Sequence, residues 1–148
     1  MVSEELKKAT KIAFASEFSF YLKAHMFHWN VTESRFAQLH DLFGDIYEEV
    51  YGSIDEFAEK IRSLGAFMPG SYTHFSMLTE ISDETEKLDA ETMIQTLLTD
   101  SDKMVKILKM VFDLSEAEGE HGFSDFIAGR MDAHRKHSWM LRSSISSE

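Results

Sequence analysis

From Arg35 to Ala66 the chain reads RFAQLHDLFGDIYEEVYGSIDEFAEKIRSLGA, and this stretch decides the fold. Apolar residues recur in it at steps of three and four, the spacing of one face of an amphipathic helix. Gly65 ends the pattern, and Thr32 or Ser34 precedes it as a candidate N-cap. The stretch therefore predicts one long, uninterrupted helix, whose apolar side holds Phe36, Leu39, Phe43, Ile46, Val50, Ile54, Phe57, Ile61 and Leu64.

Three more helical patterns flank this helix. The first runs from about Ser3 to Asn30 and keeps an apolar side. Another follows Asp89, a plausible N-cap, and is closed by Gly119 and Gly122. The last has Ser124 as its candidate N-cap. The apolar side of the first helix is predicted to hold Leu6, Ala9, Ala13, Phe14, Phe18, Tyr21 and Leu22.

The segment between the second and third long helices is the longest connection. Pro69 and Gly70 break the chain there, and the residues from Tyr72 to Glu80 predict a short helix. Four amphipathic helices with a crossover in the middle link are typical of a ferritin-like four-helix bundle. We expect an all-α protein with residues 1–148 forming a single domain.

Composition narrows the classes of function that are open to this protein. The 148 residues include no cysteine, so a metal site would have nitrogen and oxygen ligands only. A net charge of −11 disfavours a nucleic-acid binder and favours attraction of cations. No run approaches the roughly 20 apolar residues of a membrane span, and the opening residues lack the pattern of a secretory signal. We expect a cytoplasmic protein that neither crosses nor binds a membrane.

Four candidate metal ligands have an informative spacing. His28 is followed by His40 twelve residues later, by Asp55 after fifteen more, and by Glu59 one helical turn further on. At about 1.5 Å per residue, His40 and Asp55 stand roughly 22 Å apart on one helix, so a single chain cannot bring them to one ion. Either the grouping is accidental, or two copies meet antiparallel and share the site. Histidine with carboxylate suits Fe(II), Mn(II) or Zn(II).

An intrasubunit di-iron site has little support. Such sites in ferritin-like bundles use Glu-x-x-His motifs on the helices. The one match, Glu118 with His121, falls in a glycine-containing segment between helices. We therefore favour the shared arrangement over a site within one chain.

The residues also resemble a known family. The segments HWNV from His28 to Val31, the stretch from Arg35 to Ala66, and HRKHSWMLRS from His134 to Ser143 look like the Dps family of ferritin-like miniferritins. The resemblance implies a hollow dodecamer built from twofold dimers, with an iron-oxidising ferroxidase centre at each twofold interface. It implies that the substrates are Fe(II) and hydrogen peroxide, in preference to oxygen, with no organic cofactor. The centre would take His28 and His40 from one subunit, and Asp55 and Glu59 from the other.

One position departs from the family pattern. The family usually has an acid one turn after the second histidine, where this chain has Gly44. Asp41 is a possible additional metal ligand, and Asp45 is an alternative, although their directions on the helix differ by about 60° and 100° from that of position 44. A weaker or singly occupied iron site is therefore an open possibility. His25, one turn before His28, could add a ligand or could be an interface residue.

The resemblance also suggests roles outside the centre. Ferric product would mineralise against acids of the second helix, and Trp29 could quench radicals. Strong DNA binders of the family typically carry a lysine-rich tail, whereas this chain ends in SSISSE, so direct DNA binding is not expected. The alternative function is a non-catalytic cage or passive metal buffer with an impaired centre. The predicted nucleation residues are Asp41, Asp45, Glu48 and Glu49, and the predicted pore residues are Asp125 and Asp132.

Overall fold

The structure, a computed structural model, describes residues 1–146 and consists of helices joined by short turns and one long crossover. The four long helices pack as a bundle, in which α1 contacts α2 and α4, and α5 contacts α4 and α2. The short helix α3 lies in the crossover and packs on α1. This confirms the predicted all-α bundle with a short helix between the second and third long helices. The elements are α1 (Glu4–Asn30), α2 (Phe36–Ser63), α3 (Tyr72–Leu78), α4 (Ala90–Ala117) and α5 (His121–Ser143).

Two of the predicted helix starts are correct. The Ser3 side chain accepts a hydrogen bond from the amide of Leu6 at the start of α1. The Asp89 carboxylate accepts one from the amide of Thr92, at 2.8 Å, at the start of α4. Each side chain satisfies one of the amides that a helix leaves unpaired in its first turn.

The predicted start of α2 is wrong. Neither Thr32 nor Ser34 caps the helix, and Arg35 takes the N-cap position without a side-chain cap. The guanidinium of Arg35 instead binds the carboxylates of Glu33 at 2.6 Å and Glu91 at 2.7 Å. This pair of contacts ties the turn before α2 to the start of α4.

The predicted start of α5 is also wrong. The helix begins at His121 with Glu120 as N-cap, so Gly122 and Ser124 lie inside it. The Ser124 hydroxyl contacts the Ser115 hydroxyl of α4 at 2.6 Å and donates to the carbonyl oxygen of Glu120. Ser124 is therefore a buried link between the two helices. Gly119 does end the preceding helix, with a φ of 77° that suits glycine.

A buried polar network crosses the apolar core. Glu17 of α1 is fully buried and accepts hydrogen bonds from Arg130 at 2.9 Å and His134 at 2.5 Å, both on α5. Arg130 also pairs with Glu49 of α2, which accepts a further bond from His137 at 2.8 Å. Burial raises the pKa of Glu17, but the charges and hydrogen bonds of His134 and Arg130 outweigh it and lower the pKa overall. The network fixes three helices against one another.

The apolar residues predicted to share one side of α1 lie on two sides of the helix, one in the bundle core and one outside it. Leu22 is 44% exposed, whereas Glu17 and Phe20 are buried in the bundle. The exposed apolar side of α1 faces the crossover and lines a cavity of about 680 Å³ together with Phe75 of α3. Among residues 1–146, no helix has the length and apolar character needed to span a membrane.

Candidate metal centre

The two histidines with the predicted spacing form a tight pair. His28 comes from the last turn of α1 and His40 from the first turns of α2. Their rings stack with centroids 3.7 Å apart and planes inclined by 21°. The Nδ1 of His28 lies 2.7 Å from the carbonyl oxygen of His40, and the Nδ1 of His40 lies 2.7 Å from that of His28.

These reciprocal bonds fix the protonation pattern of both rings. A carbonyl oxygen can only accept, so each Nδ1 must carry a proton and donate it. In a neutral imidazole the lone pair is then left on Nε2. Metal-binding histidines are usually oriented by such a bond from the second ring nitrogen. His28 and His40 thus have the hydrogen bonding expected of two metal ligands.

Gly44 leaves space for the His28 ring. A Cβ atom at this position would lie 3.1 Å from both Cε1 and Nδ1 of His28. Such a separation is closer than ordinary van der Waals contact, so a larger residue would displace the imidazole. The glycine in place of the family's usual acid is therefore matched to the observed position of His28.

Aromatic side chains surround the histidine pair. His25 stacks on Tyr47 at 3.7 Å with planes 8° apart, and its Nδ1 lies 3.0 Å from the Tyr21 hydroxyl. Burial lowers the pKa of His25, the neighbouring His28 lowers it further, and Glu48 partly opposes the shift. Since the Nδ1 of His25 is engaged by Tyr21, only its Nε2 remains for another partner.

The candidate acids lie far along the same helix. Asp55 and Glu59 are exposed on α2, which is unbroken from Phe36 to Ser63. Fifteen residues at about 1.5 Å each put Asp55 roughly 22 Å from His40. Within residues 1–146 neither acid makes a side-chain hydrogen bond or ion pair, and no three His, Asp or Glu side chains converge as a metal site. One chain thus holds the histidine pair and the two candidate acids at well-separated positions.

The four acids predicted as nucleation residues do not share one environment. Asp41, Asp45 and Glu48 are exposed on α2. The carboxylate of Glu49, in contrast, is bound by Arg130 and His137. Burial raises the pKa of Glu49, but hydrogen bonds from His137 and Arg130, with their charges, hold it at about 2. The Glu49 carboxylate is thus engaged within the chain, although its cationic partner Arg130 is shared with Glu17.

Asp125 and Asp132, the predicted pore residues, are both exposed on α5. Asp125 lies with Glu56 and Glu49 at the rim of a shallow depression of about 380 Å³ between α2 and α5. A pore between subunits requires a neighbouring copy, so their role stays a prediction.

The tyrosines next to the histidines were missed by the sequence interpretation. Tyr21 precedes His25 by one turn, and Tyr47 follows His40 by two turns, so helical periodicity places each on the side of its histidine. This signal was present in the sequence. The contact between the two helices that joins Tyr47 to His25 required the fold.

Comparison with known proteins agrees with this description. Residues 7–147 match the family model described as a ferritin-like domain. A DNA protection during starvation protein from Brevibacillus brevis is 30% identical over 121 residues, covering 82% of this chain and 81% of that protein. The crystal structure of Dps from Staphylococcus aureus has a TM-score of 0.93 at 27% identity and covers 99% of both chains.

A third relative connects the fold to a metal centre. The Dps protein of Vibrio cholerae O1 has a TM-score of 0.91 at 25% identity, covering 97% of this chain and 90% of that one. That protein is described as a member of a broad superfamily of ferritin-like diiron-carboxylate proteins. Since the family model, a named relative and the fold agree over nearly the whole length, the chain belongs to the Dps family of ferritin-like proteins.

Proposed function

We propose that this protein oxidises Fe(II) at a centre shared between two copies of the chain and stores the ferric product inside a dodecameric cage. Iron is the substrate and cargo, and hydrogen peroxide is the preferred electron acceptor. The observation that carries the proposal is the reciprocal hydrogen bonding of His28 and His40, which leaves an Nε2 lone pair on each ring. Membership of the ferritin-like family supports iron as the metal.

Antiparallel pairing of two α2 helices would complete the centre. A twofold axis near the middle of α2 brings the histidine end of one copy to the acid end of the other. Each dimer then holds two identical centres, each with two imidazoles and the carboxylates of Asp55 and Glu59. This mixed nitrogen and oxygen set suits Fe(II).

Exposed apolar residues next to the centre support a partner on this face. Trp29 is 58% exposed, Phe36 45% and Tyr51 57%. Phe36 packs on His40 and Trp29 on His25, so these surfaces adjoin the histidine pair. A partner helix would cover them while supplying the missing acids.

Gly44 favours one tightly bound ion in each centre. The acid that the family usually has there is absent, and the His28 ring fills the space. Two histidines and two carboxylates would then bind a single Fe(II). Asp41, Asp45 and Glu48 remain available to attract ferric product, whereas the carboxylate of Glu49 is already bound by Arg130 and His137.

Co-assembly of two impaired variants would test the shared centre. His40→Ala removes a ligand from one half, and Asp55→Asn removes a charge from the other. Each alone should oxidise Fe(II) slowly with peroxide, as followed by ferric absorbance. Co-assembled in equal amounts, they should recover about a quarter of the wild-type rate, because half of the dimers are mixed and each has one intact centre.

The control is Glu56→Gln, which removes an exposed charge from the same helix one residue away from Asp55. It should oxidise iron at the wild-type rate. Absence of recovery in the mixed assembly would contradict a centre shared between chains.

The rival function is a non-catalytic cage or passive metal buffer. It predicts that wild-type protein binds Fe(II) yet does not accelerate its oxidation by peroxide over buffer. The hydrogen bonding of the histidine pair, which leaves Nε2 of each ring for a metal, argues against an impaired centre.

A further inference from the structure

The turn between α1 and α2 sets the relative position of the two histidines. Each ring of the pair donates to the main chain of the other residue, so both bonds require a fixed register between the end of α1 and the start of α2. Within residues 1–146, Arg35 is the only residue of the turn 31–35 whose side chain hydrogen-bonds another helix or its cap. Arg35 is therefore the polar contact through which the rest of the bundle acts on that register.

The guanidinium of Arg35 joins three helix ends. Its Nε donates to Glu33, in the turn before α2, at 2.6 Å. Its Nη2 donates to Glu91, in the first turn of α4, at 2.7 Å. Its Nη1 donates to the carbonyl oxygen of Ser144, the C-cap of α5, also at 2.7 Å. The planar fork of an arginine presents several donors in a rigid arrangement, which a lysine ammonium cannot reproduce.

The charges of this cluster suit their positions. Glu91 lies near the positive end of the α4 dipole, and the guanidinium lies near the negative end of α5. Hydrogen bonds from Ser146 and Arg35 lower the pKa of Glu91, and the hydrogen bond from Arg35 lowers that of Glu33. The three charged side chains are between 28% and 41% exposed, and ion pairs of this kind add little to stability. The bundle should therefore fold without Arg35.

We propose that Arg35 is a positioning residue for the metal centre, which fixes the α1–α2 turn against α4 and α5 and so keeps His28 and His40 oriented to bind an ion. The inference rests on the proposed function for the identity of that ion, Fe(II). Arg35 takes the N-cap position of α2, five residues and about 7.5 Å along the axis before His40. It acts through the backbone and does not touch the ion, and metal ligands that lose such support bind more weakly.

Co(II) is the probe, because it binds imidazole and carboxylate ligands and its visible absorbance reports binding without any iron oxidation. Arg35→Gln should raise the dissociation constant of the assembled protein for Co(II) about tenfold, the scale seen when the support of a ligand is lost. With peroxide and iron, the same variant should need about tenfold more Fe(II) for its half-maximal rate. It should still reach the wild-type maximum, because the ligands themselves are unchanged.

Glu91→Gln tests the connection to α4. It should weaken Co(II) binding as well, and the double variant should bind no more weakly than Arg35→Gln alone, because both changes break the same link. Lys109→Gln is the matched control. It removes a cation that pairs with Asp113 elsewhere on α4, and it should leave the Co(II) affinity and the iron kinetics unchanged.

An unchanged Co(II) affinity in Arg35→Gln would overturn the inference. An equal loss in Lys109→Gln would also overturn it, because the effect would then come from net charge. Native mass spectrometry checks assembly, and failure of both Arg35→Gln and Glu91→Gln to assemble would assign Arg35 to the fold instead of the centre. A wild type that binds Co(II) but does not accelerate iron oxidation refutes the proposed function alone, and the cobalt titrations then decide the role of Arg35.

Discussion

Gly44 and His28 illustrate how one residue determines the position of another. Because the helix bears no side chain at position 44, the imidazole of His28 can lie against the backbone of α2 and reach the carbonyl oxygen of His40. A comparison of sequences alone would interpret the glycine as the loss of a ligand. The structure instead shows that the glycine makes room for the ring of His28, one of the proposed ligands.

Gly44→Ala should therefore impair the centre while adding a better helix former. We expect Fe(II) affinity and the rate of oxidation to fall by about tenfold, the scale seen when a ligand's support is disturbed. Gly52→Ala is the control, because a Cβ at this position of the same helix would meet nothing within 4 Å. It should stabilise the protein by about 1 kcal/mol and leave iron oxidation unchanged. Equal iron kinetics in the two variants would refute the role given to Gly44.

The candidate ligands could be predicted from the sequence, whereas their arrangement could not. The intervals between His28, His40, Asp55 and Glu59 depend only on helix geometry. The stacking of the rings and the choice of tautomer depend on two backbone carbonyls that only the turn between α1 and α2 brings within reach. Sequence periodicity contains no information about that turn.

At the scale of the helices, the polar network around Arg130 joins α1, α2 and α5. Its members were not predicted, because charged residues in an amphipathic pattern are normally assigned to the exposed side. The available signal was Glu17, which lies four residues after Ala13 and three before Phe20, on the side of α1 that faces the core.

Arg130→Ala should destabilise the bundle strongly. It leaves the fully buried Glu17 without its guanidinium partner, and breaking a buried ion pair in this way costs about 3–5 kcal/mol. The free energy of unfolding can be measured with denaturant and far-ultraviolet circular dichroism. Lys109→Ala is the control: it breaks an ion pair with Asp113 in which both side chains are 57% exposed, so its cost should stay within about 1 kcal/mol. Comparable losses in the two variants would mean that Glu17 is held by other groups.

Helix positions were more predictable than helix ends. The four long helices follow from apolar spacing, which is set by contact with the core. At the predicted starts of α2 and α5, Arg35 and Ser124 instead bind residues of α4, namely Glu91 and Ser115. Local capping preferences cannot report such contacts.

For the whole molecule, the buried charges make stability depend on pH. The pKa of Glu49 is held at about 2, below its ordinary value of 4.5, and that of Glu17 is also lowered. Burial, with the charges of His134 and Arg130, lowers the pKa of His137 against the opposing effect of Glu49. In all three cases the unfolded chain binds more protons, so stability falls on acidification.

We therefore expect the thermal midpoint to fall first as the pH drops below 6.5, where an unfolded histidine takes up a proton, and again from 4.5 towards 2. Glu49→Gln should start from a lower midpoint at neutral pH and lose less of it in the acidic range. Circular dichroism melts across this range provide the measurement. Parallel curves for the two proteins would exclude Glu49 as the source of the acid sensitivity.

The crossed hydrogen bonds between His28 and His40 have one more consequence. Because each ring is hydrogen-bonded to the other residue's main chain, a shift of the α1 backbone relative to that of α2 would disturb both bonds together. The positions of both imidazoles therefore depend on the same backbone geometry of the α1–α2 hairpin. A distortion of that hairpin would displace both rings together. The affinity of the proposed centre for Fe(II) would then fall through both histidines at once.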